Sequence, residues 1–374
     1  GACMNCKFLS HGVVLQYEKS VKPCCVWRTD DWNFPIESTD LTKWFDTPEI
    51  VEARKQMAQG IWPKNCTKCK LQEASGRGDS IRLNGASAYG AYNSDEITLE
   101  IRPGNTCNFS CQTCWPEASS RVASHHRQAF GTKDVVSERY TDYSILDPVA
   151  DRIRDIVVLG GEPFYDKSCL KFFDWAKQKD LNANLLIFTN GSLIDFDFIE
   201  SFKGKLTMVV SLDAFGKVAE YIREGTHWNI VKQNYDRLMS MPNVDVRVNI
   251  TASVYNYPFI SELVEWLAQD WPGIVTFGTA FQPYLQEAVV PKQLVPDIAE
   301  KLTRTADIIW KSNIPEHQQW NASNALKDIA NKLTTLEFNA SLHDQFVNHC
   351  TKLDAVKNMF GEDYNEYFKK VKQK

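Results

Sequence analysis

Between residues 95 and 285 strand-length apolar runs alternate with amphipathic segments of helical length, and this alternation constrains the fold more than any other feature. The strand signals are EITLEIR (96–102), DIVVLG (155–160), NLLIFTN (184–190), LTMVVSLD (206–213), VDVRVNITASV (244–254) and GIVTFGTAF (273–281). Segments such as KSCLKFFDWAKQK and WNIVKQNYDRLMSM lie between them. Strands joined through helices pair in parallel by right-handed crossovers. Six such units predict an α/β fold, a partial (β/α)6 barrel rather than a closed barrel of eight. The chain divides into a small cysteine-rich domain (1–90), the barrel (91–290) and a charged C-terminal helical extension (291–374). A Gly/Ser/Asn-rich stretch from Gly76 marks the first boundary. Within 1–90 one helix is expected over TPEIVEARKQMAQG, with Thr47 as N-cap, Pro48 at its first position and Gly60 past its end.

The 374 residues are 43% apolar, enough for a substantial core, and the net charge is −5. That charge gives no electrostatic footprint for nucleic acid or an anionic membrane. No apolar run approaches the roughly 20 residues of a membrane span, and no basic segment leads into an apolar stretch. The reading is a cytoplasmic protein with no nucleic-acid or membrane partner. In a reducing compartment its eleven cysteines are metal ligands or redox groups before they are disulfides. MNCKF is expected to be the natural start, which sets Cys3 aside.

Cys107, Cys111 and Cys114 follow the first barrel strand, at the sheet edge where α/β proteins place their chemistry. Three thiolates hold three irons of a 4Fe–4S cluster and leave the fourth open, whereas a purely electron-transferring cluster normally takes four cysteines. Zinc would need a fourth ligand. The nearest histidines, His125 and His126, read as a solvated helix face. The second strand ends in Gly160, Gly161, Glu162 and Pro163. Paired glycines let the backbone approach a ligand, and Glu162 offers an acceptor to an ammonium group.

Together, the CxxxCxxC loop after the first strand and GGEP after the second resemble the radical S-adenosylmethionine superfamily, over about residues 95–285. The resemblance implies that the methionine end of S-adenosylmethionine chelates the open iron. It implies that the reduced cluster cleaves the cofactor to a 5′-deoxyadenosyl radical, which abstracts a substrate hydrogen. FTNG (188–191) and VSLDA (210–214) look like the family's third and fourth strand ends. On that likeness Ser211 and Asp213 reach the cofactor's ribose or methionine end, and Arg223 pairs with its carboxylate. The bland alternatives are a helix N-cap for Asp213 and a surface salt bridge for Arg223. Two departures stand out: Thr113 occupies a position usually aromatic, with Trp115 just beyond, and the fifth strand lacks the glycine-rich adenine pattern. Asn249 in that strand is either a contact or an inward structural residue.

Cys66 and Cys69 form a chelating pair, and Cys6 and Cys24 can converge on them to enclose a second cluster or a structural zinc. A cysteine, PCC, a helix and CxxC in this order resemble the SPASM/twitch auxiliary-cluster module, which usually follows the barrel. The resemblance implies one auxiliary 4Fe–4S cluster on Cys6, Cys24, Cys66 and Cys69, with Cys25 competing with Cys24. Cys169 is expected to be a buried small hydrophobe. Cys350 is either buried or a thiol that returns hydrogen to a substrate radical.

The family resemblance implies an enzyme with two 4Fe–4S clusters, an electron donor such as flavodoxin or ferredoxin, and a peptide or protein substrate. The alternatives are dehydrogenation of a small alcohol or sugar, a non-catalytic zinc protein, and an electron-transfer iron–sulfur protein. The segment TAFQPYLQEA (279–288) is a candidate substrate wall.

Overall fold

Among the described residues all six expected strands form, with four more. In chain order the strands are β1 (Gly12–Gln16), β2 (Ser20–Lys22), β3 (Ile97–Arg102), β4 (Ser110–Cys111), β5 (Ile153–Val158), β6 (Asn184–Thr189), β7 (Leu206–Ser211), β8 (Arg223–Glu224), β9 (Val244–Ala252) and β10 (Ile274–Thr279). This computed structural model describes residues 4–16, 19–28, 34–75, 80–88, 93, 95–133 and 141–374, so Cys3 and much of the Gly76-to-Asn93 stretch lie outside the described residues. The class is α/β with mostly parallel strands, and the chain parts into two compact units.

The first unit comprises residues 1–105, 136–187 and 195–206. There β1 pairs in parallel with β3, from Gly12 against Thr98 to Gln16 against Arg102. β3 pairs in parallel with β5, and β5 with β6. β2 folds back antiparallel on β1. β1 is absent from the sequence reading because all five of its residues are buried. A parallel strand covered on both faces reads as a continuous apolar run without alternation. Through β1 the first unit runs on past residue 90. The expected helix forms over Pro48–Ala58 and buries Ile50, Ala53 and Met57 along one stripe. Thr47 makes no side-chain cap, because its hydroxyl donates to the Trp44 carbonyl instead.

The second unit comprises residues 106–135, 188–194 and 207–374. β9 pairs in parallel with β10 and is flanked by β7. Beyond the end of β7 the Leu212 amide donates to the Asn249 carbonyl at 3.0 Å. β4 and β8 form a short antiparallel ladder that sets Cys111 against Arg223. The expected extension is helical, with helices Val295–Trp310, Glu316–Thr335 and Ala340–Lys357. In the first of these, Ile298, Leu302, Ala306 and Ile309 make the buried stripe. Gln318 of the second accepts from the Val275 amide and so covers part of the β10 edge. No helix among the described residues is long and apolar enough to cross a membrane.

Candidate metal centre

The three-cysteine loop of the second unit is held from two sides by groups other than its thiols. On one side stands the start of helix Ser120–Phe130. The Ser119 hydroxyl accepts from the Val122 amide and donates to the Phe109 carbonyl at 3.0 Å. The Cys107 amide donates to Ser120 Oγ, and Arg121 Nη1 donates to the Asn108 carbonyl at 2.8 Å. On the other side the Gln112 amide donates to the Ile222 carbonyl at 2.8 Å, extending the Cys111–Arg223 ladder. Asn108 accepts from Asn190 Nδ2 and donates to Ser192 Oγ, both at 2.9 Å, so the FTNG turn supports the same loop. Gly225 lies against the loop with φ +106°, where a Cβ would stand 2.7 Å from Phe109 Cδ1 and 2.8 Å from the Asn108 carbonyl oxygen.

The three loop cysteines are half-buried and flanked by cations. Burial pushes the Cys111 thiol up, with Arg223 and Lys357 pulling it down and Asp213 and Glu224 adding to the rise. Cys114 is pushed up to about 12, first by burial and then by Cys111. For Arg223, burial works against the charge, yet Cys111, Asp213 and Cys107 together hold its pKa above the usual value. The same guanidinium therefore senses two of the three cysteines. Its Nη1 donates to Asp213 Oδ2 at 2.8 Å, and Asp213 Oδ1 accepts from the Thr251 amide at 2.8 Å. Asn256 fixes this turn by donating to the Asp213 and Thr251 carbonyls. Arg223 Nε is buried without a hydrogen-bond partner. A buried donor left unpaired is costly and marks a place for a ligand or water.

Several expectations change here. Asp213 is no helix cap, and Arg223 is no surface residue, since both are largely buried in one ion pair. His125 and His126 are not a solvated face: burial pushes His125 down to about 4 and its Nδ1 lies 2.8 Å from Ser110 Oγ. His126 packs its ring against Phe130 and His349. Asn249 accepts from Thr276 Oγ1 at 2.9 Å. Cys350 is buried beside the Tyr221 hydroxyl and Asp354. Ser211 closes β7 half-buried.

In the first unit, Glu162 is buried and its Oε1 accepts from the Phe164 amide. A Cβ on Gly160 would meet Cys169 Sγ at 3.4 Å and the Gly104 carbonyl oxygen at 3.6 Å, ordinary contacts that the protein itself tolerates. Pro163 is buried in the same turn, after Gly161. Cys169 is fully buried on helix Lys167–Gln178, as expected.

The N-terminal cysteines also gather within this unit. Cys24 is pushed up by burial first and then by Cys6, Cys25 and Cys66. Cys66 is pushed up to about 12 by burial, then by Cys6 and Cys69. Reciprocal bonds hold the two segments together: the Arg28 amide donates to the Asn65 carbonyl, and Asn65 Nδ2 to the Arg28 carbonyl. Cys25 is pushed up to about 12 by burial first and then by the Glu100 carboxylate. The two adjacent cysteines thus have different company. Arg82, missed from sequence, pairs with Glu73, donates to the Asn5 carbonyl at 3.0 Å and senses Cys6 and Cys69. Among the described residues no three His, Cys, Asp or Glu side chains are grouped to hold a single metal ion.

Thiol donors, desolvation and neighbouring cations are the surroundings an anionic thiolate-ligated cluster needs. Residues 104–215 match the family model of a 4Fe-4S single cluster domain, a span that contains the Cys107–Cys114 loop. No curated protein matches the sequence. Among solved structures the chain is similar to native anSMEcpe with bound AdoMet and Kp18Cys peptide, at 16% identity and TM-score 0.43, covering 57% of this chain and 60% of that one. It is similar to Streptococcus suis SuiB bound to precursor peptide SuiA, at 17% identity and TM-score 0.38, covering 71% and 60%. A third is TYW1 with a lysine-pyruvate adduct bound, at 14% identity and TM-score 0.36, covering 73% and 94%. The chain therefore spans less than two thirds of the first two. What the comparisons assign to this chain is thus a 4Fe-4S single cluster domain over residues 104–215.

Proposed function

We propose that the chain is a radical S-adenosylmethionine enzyme with an auxiliary 4Fe–4S cluster, acting on a peptide or protein. The observation that carries this reading is a three-thiol loop laid against a buried guanidinium with an unpaired Nε. Cys107, Cys111 and Cys114 hold the first cluster. The other cysteine of that unit, Cys350, is engaged with Tyr221 and Asp354 and adds no fourth thiolate. When bound, the reduced cluster supplies the single electron that cleaves S-adenosylmethionine.

Arg223, oriented by Asp213, offers its spare Nε to the carboxylate of the cofactor's methionine end. Ser211 and Asp213 stand at the strand end proposed for its ribose or methionine side. Gly160, Gly161, Glu162 and Pro163 form the turn proposed for its ammonium group. Beside Cys114, Trp115 is 47% exposed and Phe281 83% exposed, with ring centroids 6.4 Å apart. Such an open aromatic pair suits an extended chain better than a small alcohol. An external one-electron donor of the flavodoxin or ferredoxin kind completes the system.

Cys6, Cys24, Cys66 and Cys69 hold the auxiliary cluster. Anaerobic reconstitution is expected to give about eight irons and about eight sulfides per chain, with little zinc. Zinc without iron would contradict the reading. Cys24→Ala is expected to remove about four irons, and Cys25→Ala to leave the count unchanged, by iron and sulfide analysis. Deuterium carried from a labelled peptide into 5′-deoxyadenosine supports the substrate class, and transfer only from a labelled alcohol reverses it.

A further inference from the structure

We propose that Lys357 is a fixed cation for the cluster on Cys107, Cys111 and Cys114, placed behind the loop to ease its reduction. The inference rests on the proposed function and adds a positioning residue that acts through charge. Lys357 ends helix Ala340–Lys357, where Asn358 turns left-handed at φ 50° and stops the helix. Its Nζ donates to the Ser110 carbonyl at 2.8 Å and to Gln112 Oε1 at 3.3 Å, the residues on either side of Cys111.

Both hydrogen-bond acceptors are neutral. The carboxylates that act on Lys357 from nearby elements are committed elsewhere. Glu224 of β8 pairs with Arg121. Asp354 on the same helix pairs with Lys372 and accepts from the Tyr221 hydroxyl at 2.9 Å. The imidazoles of His125, His126 and His349 beside it can only be neutral or cationic, so none supplies a balancing negative charge, and burial pushes all three toward the neutral form. The thiols of Cys111, Cys114 and Cys350 also interact with it. Burial pushes the pKa of Lys357 itself down.

A half-buried ammonium hydrogen-bonded only to neutral oxygens is a poor arrangement unless an anion completes it. A 4Fe–4S cluster on three thiolates is that anion, and it gains one more negative charge on reduction. A cation held beside it stabilises the reduced form more than the oxidised one. The other two cations at the loop are already balanced, Arg223 by Asp213 and Arg121 by Glu224, so the unspent charge belongs to Lys357. Gln112 Nε2 is buried and unpartnered next to Cys111, a second donor left over at the same place.

The test is a redox titration of the reconstituted full chain followed by electron paramagnetic resonance. The relevant signal is the one lost when Cys107, Cys111 and Cys114 are all changed to Ala. In Lys357→Met and Lys357→Gln its midpoint is expected to move to lower potential by about 59 mV, a tenfold loss in the one-electron reduction constant. Lys357→Arg should stay near wild type, and the second cluster's midpoint should not move. Gln keeps a hydrogen-bond donor without the charge, so a purely anchoring role would spare it. Unchanged midpoints in both neutral variants overturn the proposal, as does an Arg variant shifted as far as Met. Should the neutral variants fail to hold the cluster, retention by the Arg variant supports the cation, and loss in all three overturns it. If the wild type shows no signal that depends on the three cysteines, the proposed function fails first and the inference with it.

Discussion

Changing Cys107, Cys111 and Cys114 together to alanine is expected to remove about four of about eight irons per chain and to abolish cleavage of S-adenosylmethionine. The fold should survive. The loop is positioned by the Ser119 hydroxyl, by Arg121 on the Asn108 carbonyl and by the Gln112 amide on Ile222, none of which needs the thiols. The circular dichroism spectrum is therefore expected to match wild type while the 5′-deoxyadenosine peak disappears. The irons that remain should be those of Cys6, Cys24, Cys66 and Cys69, whose thiols belong to the other compact unit. Loss of all the iron would mean that the two sites do not load independently. Loss of none would remove the three-cysteine loop from the account.

Gly225→Ala is expected to cost most of the iron at that loop without touching a ligand. Two penalties coincide at this residue. Its φ of +106° lies where a side chain is strained, and its Cβ would fall 2.7 Å from Phe109 Cδ1 and 2.8 Å from the Asn108 carbonyl oxygen. Strain of this kind costs about 1–3 kcal/mol before any clash is counted. Neither neighbour gives way cheaply. Phe109 is buried to 1% exposure, and the Asn108 carbonyl already accepts from Arg121. The loop must shift, taking Cys111 out of register with Arg223. Iron analysis should show the loss at the first cluster only, with a lowered melting temperature. An alanine variant that loads fully and cleaves S-adenosylmethionine at the wild-type rate would show that the loop is not held from beneath as described.

The six expected strands were legible because each is bounded by turn residues and followed by a segment of helical length. The β1 strand was not, because a short run buried on both faces has no period to read. The cysteine spacings pointed to the two proposed cluster sites, but spacing alone could not separate Cys24 from Cys25. Adjacent residues differ only in direction, and the structure sends one thiol toward Cys6 and Cys66 and the other to Glu100. Asp213 reads as a helix cap in a strand–turn–helix pattern, and only its distance to Arg223 shows otherwise. Lys357 left no trace in the sequence. It stands 247 positions from Ser110 at what looks like an ordinary cationic helix end, where a lysine is expected on helix-dipole grounds. Gly225 was equally silent, since a glycine after a helix needs no special reason until the residue beneath it is known. The signals that could have found it are "REG" directly after the short helix Gly216–Ile222 and the pairing of that segment with the cysteine loop.

The central claim is that the three-thiol loop holds a cluster that cleaves S-adenosylmethionine. The measurement that bears on it most directly is 5′-deoxyadenosine formed by the reconstituted wild-type chain, anaerobically, with S-adenosylmethionine and a one-electron reductant. The account predicts 5′-deoxyadenosine and methionine in equal amounts, dependent on the reductant and absent from the Cys107, Cys111 and Cys114 triple variant. A chain that carries about eight irons, is reduced, and yet forms none would contradict it and leave an electron-transfer protein in its place.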